Sequence, residues 1–156
     1  MRITSITTEY SLDEDRIRLA VADKDKNACT LWMTRRLSER MVPALVQSLQ
    51  KQMADPKAEP AAAQAAQVYA QLEARLNKKP VKQVPAPNAA TQKVITELKI
   101  KTGENGVRVI EFHNGVTGEP AILVMRTAEM RQWLEVLRQA FVKGQWREDI
   151  WPQWLK

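Results

Sequence analysis

Hydrophobic and polar residues alternate with period two in the first part of the chain and again in its last third. This alternation is typical of strands that bury one face. It predicts six strands, over residues 2–11, 16–22, 28–33, 94–101, 107–113 and 120–126. The polar segments between them, such as 23–27 and the Asn105-Gly106 pair, predict hairpin loops.

After each third strand the apolar residues change to helical spacing. They are Leu37, Met41, Ala44, Leu45 and Leu49 in one segment and Met130, Trp133, Leu134, Leu137 and Phe141 in the other. Thr34 and Thr127 are the predicted N-caps, and Gly144 is the predicted end of the second helix. Pro43 predicts a kink or a restart in the first helix, because it lacks an N–H and its ring crowds the preceding turn.

The two segments resemble each other. A shift of 92 positions carries Ile3 onto Ile95 and Leu31 onto Leu123. For the second strand of each segment the apparent shift is 90, which aligns Arg18 with Arg108. Such a repeat usually indicates two copies of one supersecondary unit. We therefore expect an α+β fold of two tandem βββα units, residues 1–52 and 94–144, each an antiparallel sheet backed by a helix, in a pseudo-two-fold arrangement.

The connector, residues 53–93, differs from both units in composition. It is rich in Ala and Gln at first and in Pro later. A stripe of Val68, Leu72 and Leu76 predicts a surface helix over 60–77. The prolines of 78–93 favour an extended segment. Residues 145–156 form a Trp-rich C-terminal tail.

Charge and composition narrow the functional classes. The chain of 156 residues has a net charge of +6, yet residues 53–93 alone hold six cations against three anions, so the two units are close to neutral. A nucleic-acid groove usually clusters its cations on one folded face. With one cysteine, no intrachain disulfide is possible, and no apolar run reaches the roughly 18 residues of a membrane span. We expect a cytoplasmic protein.

Residues suited to catalysis are few. One histidine and one cysteine leave little for acid–base or nucleophilic chemistry. His113 and Glu111 share a strand face, which is more typical of a polar pair than of a catalytic base, and Cys29 lies among apolar neighbours. No segment has the spacing of a calcium, zinc or phosphate site. The sequence predicts a protein that is not an enzyme and needs no metal or cofactor.

The tail is a candidate partner-binding segment. It carries five large apolar residues: Trp146, Ile150, Trp151, Trp154 and Leu155. Exposed, they would form the kind of patch that marks an interface with a protein partner or a second copy. The alternative is that the tail folds back and completes the core.

A second group of side chains is suited to an anion or a nucleic acid. Arg35 and Arg36 stand in the first turn of a predicted helix, where cations are disfavoured, so they are expected to contact a carboxylate, such as one within 12–15, or an anionic ligand. Arg18 and Trp32 are predicted on the open face of neighbouring strands, where they would stack on a base or be covered by protein. The full set is Arg16, Arg18, Trp32, Arg35, Arg36, Lys78, Lys79 and Lys82.

The chain also shows two resemblances to known proteins. The strings Glu14-Asp15-Arg16-Ile17-Arg18-Leu19 and Leu31-Trp32-Met33-Thr34-Arg35-Arg36-Leu37 resemble the EDR-x-x-L and LW-[LM]-TRR signature of an uncharacterised bacterial family. This resemblance supports the boundaries of the fold and carries over no function. In architecture, tandem units of this kind are similar to single-strand-binding proteins of the whirly and Pur types. The second unit offers Val124 where the first has Trp32.

Taken together, these features predict a non-enzymatic interaction or scaffold protein. It would bind a protein partner or itself through open sheet faces and the Trp-rich tail. The alternative is a module that binds single-stranded nucleic acid through the cations and Trp32.

Overall fold

The computed structural model describes residues 1–84, 92–115 and 118–156. In these ranges the chain has an α+β fold with three α-helices and two four-stranded mixed sheets. The strands are β1 (Arg2–Ile3), β2 (Ser5–Ser11), β3 (Arg16–Ala22), β4 (Ala28–Met33), β5 (Gln92–Val94), β6 (Glu97–Thr102), β7 (Arg108–His113) and β8 (Ala121–Met125). The helices are α1 (Arg35–Gln52), α2 (Pro60–Leu76) and α3 (Thr127–Gly144).

Each sheet receives one short strand from the other half of the chain. The first sheet has the order β2-β3-β4-β5, and the second has the order β1-β8-β7-β6. β5 pairs in parallel with β4 and β1 pairs in parallel with β8, whereas all other neighbours are antiparallel. The two halves are therefore joined by backbone hydrogen bonds in both sheets.

The chain passes between the sheets at two threonines. The Thr4 N–H donates to the Ala22 carbonyl at 2.8 Å, and the Thr96 N–H donates to the His113 carbonyl at 2.9 Å. Each threonine hydroxyl bonds to the same carbonyl. The single strands predicted over 2–11 and 94–101 are therefore wrong, because each is divided by a crossing that periodicity does not reveal.

The hydrogen-bond register corrects the predicted alignment of the halves. Ile17 lies opposite Met33, and Arg108 lies opposite Met125, which is 92 residues beyond Met33. Arg108 thus matches Ile17, a shift of 91, and the predicted match with Arg18 is wrong. A slip of one residue exchanges the two faces of a strand. Arg108 accordingly points into the protein, with no exposed surface.

α1 begins as predicted and continues past its proline. Thr34 is the N-cap, and its hydroxyl accepts the Leu37 N–H at 3.2 Å. The helix is continuous from Arg35 to Gln52 with Pro43 inside it, so the predicted restart does not occur.

α3 begins one residue earlier than predicted. Its N-cap is Arg126, whose N–H donates to the Glu129 carboxylate at 3.1 Å, a capping arrangement supplied by the third helical residue. Thr127 is instead the first helical residue, and its hydroxyl contacts the Gln52 side chain at 3.1 Å. The predicted cap at Thr127 is therefore wrong, while the helix ends at Gly144.

One continuous hydrophobic core joins the sheets, α1, α3 and the C-terminal tail. α1 contributes Met41, Leu45 and Leu49, and α3 packs Trp133 against the first sheet, where its indole N–H donates to the Thr8 hydroxyl at 2.9 Å. None of the helices in the described ranges combines the length and apolar composition that a membrane crossing requires.

Candidate interaction surface

α2 rests on the body of the protein through a polar face. The residues of this helix that are buried are Gln67, Gln71 and Ala74, and Gln71 is only 2% exposed. They lie against α3 and the short 3₁₀ turn of residues 153–155. An Ala-rich sequence and Pro60 at the start favour this helix intrinsically, so its formation does not depend on a buried apolar stripe.

Arg131 of α3 is the centre of that polar contact. Its guanidinium donates to the Gln67 amide oxygen at 2.7 Å and to the Gln71 amide oxygen at 3.3 Å. The same group lies over the Trp154 ring, 5.3 Å from its centroid. Gln71 in turn donates to the Arg131 carbonyl at 2.9 Å. Burial lowers the pKa of Arg131, and the charge of Arg108 lowers it further.

The rim of the contact is charged. Arg75 of α2 binds Glu135 of α3 with N–O distances of 2.7 and 2.9 Å. The hydrogen bond to this carboxylate raises the pKa of Arg75. Nearby, the Gln132 amide donates to the Ala74 carbonyl at 2.8 Å. α2 is thus attached by directional bonds that fix which face it presents to solvent.

The face presented to solvent is apolar. Tyr69 is 70% exposed, Leu72 46% and Leu76 76%, and Val68 beside them is also exposed. The stripe that predicted the helix therefore faces away from the body.

The spacing of this exposed face follows a heptad. Its members occur at alternating intervals of three and four residues and are all exposed: Ala62, Ala65, Tyr69, Leu72 and Leu76. This is the a/d pattern by which one helix packs along another. We call these five residues the α2 heptad face. Exposed apolar patches are common at protein interaction sites.

The Trp-rich tail lies in the core. Trp146, Trp151, Trp154 and Leu155 are buried, and Ile150 packs partly against them. The expectation that these five side chains form an exposed partner-binding patch is therefore corrected. The tail is held in the core by aromatic packing. The ring centroid of Phe141 in α3 lies 5.1 Å from that of Trp146 and 5.2 Å from that of Trp151, and both pairs are edge to face.

A polar contact fastens the tail to the first hairpin. The Asp15 carboxylate accepts the Tyr10 hydroxyl at 2.6 Å and the Trp146 indole N–H at 3.0 Å. These two hydrogen bonds, that of Tyr10 first, lower the pKa of Asp15, and the charge of Arg35 lowers it too. The Asp15 carboxylate of the 12–15 turn therefore interacts favourably with the charge of Arg35 at the start of α1.

The predicted nucleic-acid contacts lie partly together. Arg18 and Trp32 are directly opposite on the open face of the first sheet. Arg18 is paired with Glu9, and the Trp32 indole N–H donates to Gln92 at 2.9 Å. The connector crosses the same face, where the Val84 N–H donates to the Thr7 hydroxyl at 2.8 Å. This face is a mixed-charge surface, partly covered by protein.

The remaining cations are spread around the molecule. Arg16 lies 3.9 Å from Glu14, and Arg35 bonds to Glu39 at 2.9 Å within α1. Arg36 and the connector residues Lys78, Lys79 and Lys82 are exposed. The predicted set therefore does not form one cationic groove.

The side chains considered for catalysis form ordinary contacts. His113 lies 3.1 Å from Glu111, which also binds Lys101 at 3.1 Å, and these hydrogen bonds, that of His113 first, lower the pKa of Glu111. Burial raises the pKa of the Cys29 thiol, which disfavours the reactive thiolate. Among the described residues, no group of three or more His, Cys, Asp or Glu side chains is placed to hold a metal ion.

Comparison with known proteins identifies no relative: no family model matches the chain, and neither the curated proteins nor the solved structures contain a match. The resemblance of the N-terminal strings to a bacterial family therefore stays a prediction.

Proposed function

We propose that this protein is a non-catalytic interaction protein whose contact surface is the α2 heptad face. The observation that carries the proposal is the orientation of α2, which buries glutamines and presents Tyr69, Leu72 and Leu76 to water. A helix that served only to cover the core would bury its apolar side. Here the buried polar bonds to Arg131 hold the apolar side outward.

The energetics favour association at this face. Burying a large apolar side chain is worth roughly 1.5–3 kcal/mol. Tyr69, Leu72 and Leu76 keep about half or more of their surface in water. A partner that covers them gains the share of that free energy that corresponds to the exposed surface, without the cost of ordering α2, because the helix is already formed and docked.

We also propose that residues 1–52 and 94–144 are two copies of one βββα unit related by a pseudo-two-fold axis. The crossings at Thr4 and Thr96 are 92 residues apart and make matching hydrogen bonds. α1 and α3 are both 18 residues long and are also displaced by 92. On this proposal α2 lies outside the repeat, as a segment added for contact.

Site-specific photocrosslinking in the cells that produce the protein tests the interaction function. A benzophenone amino acid replaces Tyr69 in one variant and Lys99, exposed on the second sheet, in the matched control. We expect a covalent adduct of defined mass from position 69 and none from position 99. Adducts from both positions, or from neither, would contradict an interaction function for the α2 heptad face.

A second candidate function is binding of single-stranded nucleic acid, which the direct pairing of Arg18 and Trp32 across β3 and β4 favours. The test is fluorescence anisotropy of a labelled poly-pyrimidine strand at two salt concentrations, with Trp32→Ala as the matched variant. Micromolar affinity that falls steeply with salt and depends on Trp32 would support this function. Absence of binding at low salt would exclude it.

A further inference from the structure

We infer that the occupant of the α2 heptad face is the same face of a second copy of this chain, packed antiparallel about a two-fold axis at Tyr69. This inference rests on the interaction function proposed above and names its partner. An isologous contact of this kind brings one surface against itself and closes at two subunits.

The sizes of the side chains fit the antiparallel direction. Small residues, Ala62 and Ala65, occupy the first half of the face, and large residues, Leu72 and Leu76, occupy the second half. An antiparallel pair centred on Tyr69 places Ala62 level with Leu76 of the other copy, and Leu72 within one residue of Ala65. Alternation of large and small side chains across a contact fills space evenly. A parallel pair would crowd leucines at one end and leave a gap between alanines at the other.

The charges at the two ends of α2 fit the same direction. Asp55 and Glu59, with Lys57 between them, precede the helix, whereas Lys78 and Lys79 follow it, and all five are exposed. Antiparallel packing brings the acidic end of one copy to the basic end of the other. It also opposes the two helix dipoles, so charge and dipole favour the same arrangement.

The length of the helix sets the strength of the contact. α2 has 17 residues, which corresponds to roughly 26 Å at 1.5 Å per residue. Two heptads bury less surface than an obligate interface, so the dimer belongs to the weak and reversible class. We therefore expect a monomer–dimer equilibrium that responds to concentration.

Sedimentation velocity of the full chain over a wide concentration range tests the dimer. The wild-type protein should sediment faster as its concentration rises. Leu72→Glu should weaken dimerisation by at least tenfold, with unchanged circular dichroism. The matched control is Val142→Glu, an exposed apolar residue on α3, which should behave like wild type. A monomer at every concentration, or equal effects of both variants, would overturn the inference.

Disulfide trapping tests the direction of packing. Ala62→Cys and Leu76→Cys are prepared separately with Cys29→Ala, then mixed and oxidised. Antiparallel packing predicts a disulfide between the two variants and little within either one. Efficient self-linkage of Ala62→Cys would show a parallel pair and overturn the two-fold arrangement.

The two proposals fail in different ways. A chain that stays monomeric but gives a crosslinked adduct with another protein at position 69 disproves the second-copy inference and leaves the interaction function standing. A monomer that gives no adduct at position 69 disproves both. A crosslinked adduct of twice the chain mass that disappears in Leu72→Glu agrees with both.

Discussion

At the scale of single residues, Arg108 is the least expected side chain in the protein. It is fully buried, and burial lowers its pKa. Its guanidinium donates to the Ser48 hydroxyl at 3.1 Å, to the Ser48 carbonyl and the Gln52 amide oxygen at 2.9 Å each, and to the Gly106 carbonyl. All of these acceptors are neutral. The cation is therefore stabilised by a set of dipoles from α1 and the β6–β7 turn.

Loss of Arg108 should destabilise the protein strongly. Arg108→Ala leaves a cavity and several neutral acceptors without partners, so we expect the free energy of unfolding to fall by about 2–5 kcal/mol. The matched control is Arg126→Ala, whose exposed ion pair with Glu129 should be worth about 0–1 kcal/mol. Urea denaturation of both variants measures the difference. Equal, small effects would show that α1 holds the turn without the guanidinium.

This residue also shows why the sequence predicts the strands better than their registers. The alternation predicts a strand over 107–113, and β7 is Arg108–His113. Aligning Val107-Arg108-Val109 with Ile17-Arg18-Leu19 matches the two arginines. Because Arg18 is predicted on the open face of its sheet, this alignment suggests that Arg108 also faces outward. Only the pairing of Arg108 with Met125 reveals that a cation occupies an isoleucine position.

At the scale of elements, α2 shows that a periodic pattern predicts a helix without predicting its orientation. The sequence predicts a helix over 60–77, and the helix is Pro60–Leu76. The stripe of Val68, Leu72 and Leu76 would ordinarily indicate the buried side. The actual buried side depends on Arg131, about 60 residues further along the chain, and periodicity carries no information on such a partner.

Removal of the Arg131 guanidinium should loosen α2 selectively. Arg131→Met removes hydrogen bonds to Gln67 and Gln71, each worth on the order of 1 kcal/mol or more because the donor is charged. We expect protection of the α2 amides against hydrogen exchange to fall at least tenfold, while protection in β3 stays the same. The control is Gln139→Met, because Gln139 is an exposed residue of α3, the helix that also carries Arg131. A uniform loss of protection in both elements would show that Arg131 supports the whole fold and not α2 in particular.

At the scale of the whole molecule, the exchange of β1 and β5 makes the two halves interdependent. The sequence predicts two sheets in tandem, whereas the structure has two mixed sheets built from both halves. The exchanged strands have two and three residues, too few for a period to be recognised. The tail poses a similar difficulty: its composition fits an interface or a core, and only the contacts with Phe141 distinguish them.

Cleavage of the connector should not separate the halves. A protease site inserted within 85–91 yields two fragments that share one core and remain paired through β1–β8 and β4–β5. We expect them to co-elute on size exclusion with the circular dichroism of the uncut protein and to part only in denaturant. Elution as two separate species without denaturant would show that the halves are independent domains.

The strand exchange also bears on how such a chain can arise. A single unit that ends after its helix has no β5 to place beside β4, and its own β1 has no β8 to meet. One gene half as long would therefore encode a protein that folds only as a pair of identical chains, each lending the other its first residues. On the repeat proposed above, duplication and fusion of that gene would convert the pair into one polypeptide, after which the two copies are free to diverge, so that Arg108 can stand at the register position of Ile17.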